Sequence, residues 1–298
     1  MAGLPPIISI ITPSYNRVDE LKYLYNSLQE QSVDLKLLEF IVSDDGSTDS
    51  TEETVKHWQT ESNFPIKFIT QKNQGPGAAR NHGLENSEGE LILFIDSDCE
   101  AHPDWIQTIY EEYLNDSFDA CGGPDGAKDD FTTLQKAIDF AMTSFITTGG
   151  MRGHSEKMMA KFFPRTHNMG IKRSVYEKVG GFGDLRHGQD IELSNRIRKS
   201  GARIIFLINA VVYHRRRTSI KQFFKQVFNW GVARINLGKI DPAMLEPIHF
   251  LPSLATLVGF SIVGTAIYLE FPLDQLFLLI LIPLGLLSLF GAAKKNDL

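Results

Sequence analysis

The sequence predicts an α/β fold built on a mainly parallel sheet with helices on both faces, followed by a pair of membrane-spanning helices. Three observations carry this. Short apolar runs alternate with helical patterns through the first hundred or so residues, polar clusters stand where those runs end, and two long segments near the C-terminus lack any ionisable side chain. Strand, helix, strand at this spacing requires right-handed crossovers, and those bury both faces of a parallel sheet.

The elements follow in order. Ile7 to Thr12 (IISIIT) is the first apolar run, closed by Pro13; Leu38 to Ser43, Ile66 to Thr70 and Leu91 to Ile95 are the next three. The helical patterns between them cover Asp19 to Gln31, Asp49 to Glu61 and Ala78 to Asn86. Ligands of open parallel sheets bind beyond the carboxyl ends of the strands, so the residues just after each run are the functional candidates. These are Pro13-Ser14-Tyr15-Asn16-Arg17, then Asp44-Asp45-Gly46-Ser47-Thr48-Asp49, then Gln71 to Asn81, then Asp96-Ser97-Asp98. Capping of the next helix accounts for Ser47 or Asp49, but not for Asp44 and Asp45 as well.

Two of these clusters carry specific chemistry. Gly75-Pro76-Gly77 opens a helix and brings backbone N–H groups toward whatever lies above the sheet, and Arg80 adds a fixed positive charge one turn later. The string is GxGxxR, not GxGxxG, and no Walker pattern occurs, so a dinucleotide or P-loop site is disfavoured. Asp96 and Asp98, one residue apart at a strand end, can turn toward one divalent cation, and hard oxygens suit Mg2+ or Mn2+. Such a cation bridges diphosphate oxygens and stabilises a leaving group.

The rest of the composition bounds the reading. With 298 residues, 43% hydrophobic and 22% charged, the chain is globular, and a net charge of −6 argues against nucleic acid as a partner. Two cysteines, Cys99 and Cys121, make neither a disulfide framework nor a zinc cluster and fit a reducing compartment. Phe250 to Leu269 and Gln275 to Ala293 each suffice for a helix across a hydrocarbon core of about 30 Å; Pro283 kinks the second. The stretch from Arg203 to Lys239 is rich in Lys and Arg and has no acid, Lys294 and Lys295 follow the second span, and the connecting loop Glu270 to Asp274 has no base. By the positive-inside rule both ends are cytoplasmic. No signal-peptide pattern opens the chain. Thr218 to Gly238 carries Ile220, Phe223, Phe224, Val227 and Gly231 at helical spacing, with Lys221, Lys225 and Arg234 interleaved and Trp230 nearby. This reads as an interfacial helix on the inner leaflet, or as a surface helix packing its stripe on the domain.

The combination PSYNR, VSDDGSTDST, GPGAARN and FIDSD, in that order, resembles the family 2 glycosyltransferases of the GT-A fold over about Pro6 to Gly238. The resemblance implies an inverting enzyme with a nucleotide-sugar donor, UDP by family habit. Its base would lie near Pro13 and Tyr15, hydrogen-bonded by Asp45, with Arg80 nearby. Asn16, Arg17, Asp44, Gly75 and Ser97 complete the donor side; Asp96 would face the ribose and donor sugar, with a metal contact as its alternative, and Asp98 would hold the cation. GQDIELSNR, from Gly188 to Arg196, resembles the family's ED-x-E-L-S-x-R helix start, which makes Asp190 the base; Gln189 stands where Glu is commonest. Gln189 and Glu192 fall on the acceptor side, as do Asn168, Met169 and Gly170 in the segment His167 to Gly170, which resembles the acceptor lining. His214, after the run Ala210 to Tyr213, matches a histidine that completes the metal shell. Arg215, Arg216 and Arg217 suit a diphosphate, an acceptor phosphate or lipid headgroups.

The resulting organisation has a catalytic domain over 1–217, with a donor half to about 123 and an acceptor half from 124, an interfacial helix over 218–240 and two spans within 247–293. Thr147 to Pro164 is a candidate lid. The expected acceptor is a glycan or lipid-linked sugar at a bacterial inner membrane. Two readings from other classes stand beside it: an inactive membrane-anchored sugar-nucleotide binder, which Asp190 argues against, and a nucleotidyltransferase, which lacks its Gly-rich turn here. A processive synthase is the alternative within the class, but Gln226 to Trp230 is not QxxRW.

Overall fold

In a computed structural model of the chain, the described residues are 6–126, 128, 131–143, 162–215 and 219–294. Arg216, Arg217 and most of the candidate lid fall outside them.

Four parallel strands, β1 (Ile8–Ser14), β2 (Leu38–Asp44), β3 (Ile66–Thr70) and β4 (Leu91–Phe94), realise the four apolar runs. Helices α1 (Val18–Gln29), α2 (Thr51–Glu61) and α3 (Pro76–Glu85) connect them. Every residue of β2 is buried, as a strand covered on both faces requires. The short strand β5 (Cys99–Ala101) and helix α4 (Trp105–Leu114) come next, then β6 (Ala120–Gly122), β7 (Asp125–Gly126) and α5 (Thr133–Thr143). Beyond lie β8 (Met169–Lys172), α6 (Arg173–Val179), α7 (Gln189–Lys199), β9 (Ile204–Phe206) and β10 (Val212–His214). The main sheet has the order β3-β2-β1-β4-β8-β6-β9. It is parallel except at β8, which pairs antiparallel with both β4 and β6.

Alternation along the strands feeds two cores. Ile8 and Ile10 join Leu21, Leu24 and Leu28 of α1 and Trp105 of α4 on one face, whereas Ile11 and Ile92 join Leu84 of α3 and Leu193 and Ile197 of α7 on the other. Each fully buried Leu or Ile contributes roughly 1.5–3 kcal/mol, so both helix layers are held independently of any ligand. A second, three-stranded sheet of order β5-β10-β7 stands beside the main one. It sets His214 opposite Cys99 and Val212 opposite Asp125.

The chain divides into two compact units, residues 1–131 with 141–216, and residues 132–140 with 217–298. Most of α5 falls in the second of these units. That unit holds α8 (Ile220–Ile240), α9 (Leu251–Tyr268) and α10 (Leu273–Lys294). Pro247–Tyr268, with mean hydropathy 1.8, and Asp274–Ala293, with 2.5, are long and apolar enough to cross a membrane. The ring of Phe140 meets that of Phe290 edge-on at 6.2 Å. On α8, Ala233 and Leu237 are buried, while Ile220, Phe224, Val227 and Phe228 are exposed.

Candidate active site

The strand order reverses at β1: the chain moves outward to β2 and β3, then returns to place β4 on the other side. The carboxyl ends of β1 and β4 therefore flank the crevice where ligands of open sheets bind. At the end of β1 Tyr15 is exposed, and Asn16 sits at φ 52°, a conformation Asn tolerates better than most residues. Asn16 accepts the Thr48 N–H at 2.8 Å through Oδ1, and its own N–H donates to Ser47 Oγ at 2.8 Å, so two rim turns are fastened together.

The two carboxylates after β2 do different things. Asp44 accepts from the N–H groups of Gly46 and Ser47, at 3.1 and 2.8 Å, and from the hydroxyls of Ser47 and Thr70. These contacts fasten its own turn. Asp45 accepts from the N–H groups of Gln74 and Gly75 at 2.9 and 2.8 Å and from Gln71 Nε2 at 2.8 Å. It thereby shapes the glycine loop, in which Gly75 takes φ 94°.

Helix α3 delivers Arg80 beneath the rim. Its Nη2 donates to Asp96 Oδ1 at 2.6 Å, and its guanidinium carbon lies 5.5 Å from the centroid of the Phe182 ring. The next residue, Asn81, accepts the Phe182 N–H at 2.7 Å and donates to the Phe182 carbonyl at 2.9 Å. A Cβ on Gly181 would stand 2.3 Å from Asn81 Oδ1, so this clasp needs glycine there. The donor-side helix is thus fastened to the turn that leads into α7.

Helix α7 presents Asp190 in its first turn, with the side chain 20% exposed. Asp190 Oδ2 accepts from Arg165 Nη1 at 3.1 Å and Oδ1 from the Ile191 N–H at 2.9 Å. Burial pushes this carboxyl up, but Arg165, the Ile191 N–H and Arg80 outweigh it and hold it below the ordinary carboxylate range. Arg165 precedes β8 and carries no motif that marks it in the sequence.

The neighbours expected on the acceptor side are placed as follows. Asn168 is 1% exposed; it accepts from Trp105 Nε1 at 2.9 Å and donates to the carbonyls of Ala210 and Pro124 at 2.7 and 3.1 Å. These hydrogen bonds brace the fold around it. Met169 is buried in the core, and a Cβ on Gly170 would stand 2.7 Å from Cys121 Sγ. Glu192 grips Arg196 at 2.7 and 2.8 Å, and Arg196 reaches the Gly181 carbonyl at 2.5 Å. Gln189 donates to the Gly183 carbonyl at 3.3 Å and lies over Gly77 instead of supporting Asp190.

A second corner forms where β5 meets β10. Asp98 is buried; its Oδ2 accepts from Arg17 Nη1 at 3.1 Å, and its Oδ1 lies 3.3 Å from His214 Nε2. His214 Nδ1 is buried and has no hydrogen-bond partner among the described residues. A carboxylate oxygen facing an imidazole nitrogen at this distance fits a divalent cation. Cys99 is close as well, but burial and the carboxylates of Asp98, Asp96 and Asp125 push its thiol well up, and a protonated thiol is a poor ligand. Arg215 donates to Glu100 Oε1 at 2.8 Å and lies 4.0 Å from the centroid of the Tyr23 ring. Of the expected site residues, then, the fold gathers Arg17, Asp98 and His214 in one cluster and Arg80, Asp96 and Asp190 in another. Asp96 and Asp98 join the two.

Residues 9–180 match Glycosyl transferase family 2. Glycosyltransferase AglE of Haloferax volcanii is 26% identical over 87% of this chain and 83% of its own. A Methanococcus voltae enzyme, dolichyl N-acetyl-alpha-D-glucosaminyl phosphate 3-beta-D-2,3-diacetamido-2,3-dideoxy-beta-D-glucuronosyltransferase, is 26% identical over 84% of this chain and 81% of its own. Among solved structures, a mannosyltransferase from Pyrobaculum calidifontis in complex with GDP-Man and Mn2+ superposes with TM-score 0.59. It covers 98% of this chain and 87% of the other, and at 19% identity it carries the fold alone.

Proposed function

We propose, from the premise that this chain belongs to glycosyl transferase family 2 and transfers a sugar from a nucleotide-sugar donor, that it does so by a single inverting displacement on a lipid-linked acceptor at a membrane. The observation that carries the reading is the joining of the two clusters through Asp96 and Asp98. Arg80 bonds Asp96 and biases Asp190, while Asp98 faces His214. Donor and acceptor functions thus meet at one strand end.

In this mechanism the donor is a UDP-sugar. Its base lies by Pro13 and Tyr15 with Asp45 as acceptor, and Arg17, Gly75 and the buried Ser97 line the same rim. Asp96, fixed by Arg80, orients the ribose and the donor sugar. Asp98 and His214 hold Mn2+ or Mg2+, which when bound neutralises charge on the diphosphate. Asp190 takes the proton of an acceptor hydroxyl. That oxygen forms the new bond to the anomeric carbon from the face opposite the diphosphate, and the bond to the diphosphate oxygen breaks, which inverts the carbon. A carboxylate held below its usual pKa is a weak base but is ionised at neutral pH, and its positioning supplies the advantage.

The acceptor assignment draws on the Methanococcus relative, whose name includes a dolichyl phosphate-linked sugar, and on the two apolar helices. In α8 the exposed Ile220, Phe224, Val227 and Phe228 stand among Lys221, Lys225 and Arg234, which suits the cytoplasmic leaflet of a membrane. The test is nucleotide-diphosphate release by the detergent-solubilised protein over UDP-, GDP- and dTDP-sugars, with Mn2+, Mg2+ or chelator. Cation-dependent hydrolysis of a UDP-sugar is expected. Release unaffected by chelator would remove the cation from the mechanism, and turnover of a GDP-sugar alone would replace uridine.

A further inference from the structure

Beside the Asp98–His214 pair lies a second group of ligand-type side chains that the displacement does not use. Asp125 begins β7 and is paired in register with Val212 of β10, two residues before His214. His167 stands in the turn that leads into β8, where Arg165 and Asn168 form an isolated bridge. Asp125 Oδ2 lies 3.8 Å from His167 Nε2, and the rings of His167 and His214 stack with centroids 5.2 Å apart and planes 28° from parallel. One ligand atom from each of Asp125, His167 and His214 lies within 4.8 Å of those of the other two. Ligand atoms on a single ion, with bonds of about 2.1 Å, stand at most roughly 4.2 Å apart. Side-chain rotations that bring the three atoms closer together close the set.

We propose that Asp125 and His167 complete a metal triad with His214 that takes up a divalent transition-metal ion before any nucleotide binds. The inference rests on the reading of His214 as a cation ligand and extends it. Two imidazoles and one carboxylate favour a transition metal over Mg2+ or Ca2+, whose affinity for nitrogen is low. The buried His214 Nδ1, without a hydrogen-bond partner among the described residues, is a nitrogen that such an ion would satisfy. Rigidity favours the site as well. Asp125 is buried, and the Asn168 side chain, next to His167, holds the carbonyls of Pro124 and Ala210. The same brace therefore fixes the strand ahead of Asp125, the turn carrying His167 and the approach to β10.

The experiment is pulsed EPR on the full-length, detergent-solubilised protein with Mn2+ and no nucleotide, counting the nitrogens coupled to the ion. Two imidazoles are expected in the wild type and one in His167→Gln, with Mn2+ affinity falling about tenfold or more. Asp125→Asn is expected to keep both nitrogens while weakening the ion. One imidazole or none in the nucleotide-free wild type overturns the proposal without recourse to any variant, as does a nitrogen count unchanged in a folded His167→Gln. Adding UDP, and then GDP, reports the Asp98 reading separately, through phosphorus coupling to bound Mn2+ and the loss of that coupling in Asp98→Asn. Coupling with a single imidazole sinks the triad and leaves Asp98 in place. Two imidazoles without phosphorus coupling do the reverse.

Discussion

Asp98 and Asp190 invite comparison because each carboxylate is engaged by an arginine Nη1 at 3.1 Å, Arg17 in one case and Arg165 in the other. The remaining oxygen separates them. That of Asp98 faces an imidazole nitrogen across 3.3 Å, whereas that of Asp190 accepts a backbone N–H at the start of α7. An identical ion pair therefore says little about role. A second electron-pair donor opposite a carboxylate marks a place for a cation, and a backbone donor beside it marks an anion kept ionised and aimed.

Removing each carboxylate is the strongest way to break this comparison. Asp190→Asn should lower kcat by about 10²- to 10⁴-fold while donor affinity, measured by calorimetry, stays within a few-fold; a large loss of donor binding would move Asp190 to the binding side. Asp98→Asn should instead cut cation-supported donor binding by on the order of 10² or more, since even outer-shell changes cost 10–100-fold. Equal affinities with and without Mn2+ in the wild type would end that distinction.

The arginines sharpen it. Arg165→Gln removes the partner that holds Asp190 low, so the acid limb of the kcat/KM profile should move to higher pH. The same change bears on stability. A carboxyl whose folded pKa lies below its unfolded value of about 3.9 contributes stability above that pH and loses it as the pH falls through the folded value. Arg165→Gln should erase that contribution, narrowing the acid side of a plot of Tm against pH. An unmoved acid limb would assign the limb to another group. The smallest effect belongs to Arg17→Gln: relieving a partly exposed positive charge next to Asp98 should raise nucleotide-free Mn2+ affinity roughly two- to fivefold, the reach of about 1 kcal/mol. A fall would mean that Arg17 helps to build the site.

Local pattern was a sound guide where function follows a strand directly. The runs before Pro13, Asp44, Gln71 and Asp96 become β1 to β4 within two residues at either end, and β3 spans Ile66–Thr70 as expected. Motif membership was a poorer guide to side-chain direction. Asn168 and Glu192 belong to segments that resemble acceptor-side motifs, yet one braces three parts of the fold and the other holds Arg196. Arg165 and Asp125 were not legible at all, and His167 was read only as the start of a segment that resembles the acceptor lining. Each is an ordinary residue in a turn or a two-residue strand, and their significance arises from partners 25 to 89 positions away.

The sequence by itself determined the alternating elements, the polar strand ends and the two apolar helices, because hydrophobic period and turn chemistry act over a few neighbouring residues. Only the tertiary structure decided which polar groups meet. The antiparallel pairing of β5 with β10 carries His214 to Asp98, and the Asn81–Phe182 clasp fastens the turn before α7 to the helix that carries Arg80. The physical reason is reach. A hydrogen-bonded register and a buried brace set distances between chain segments that no local propensity encodes, and the chemistry of this site depends on those distances.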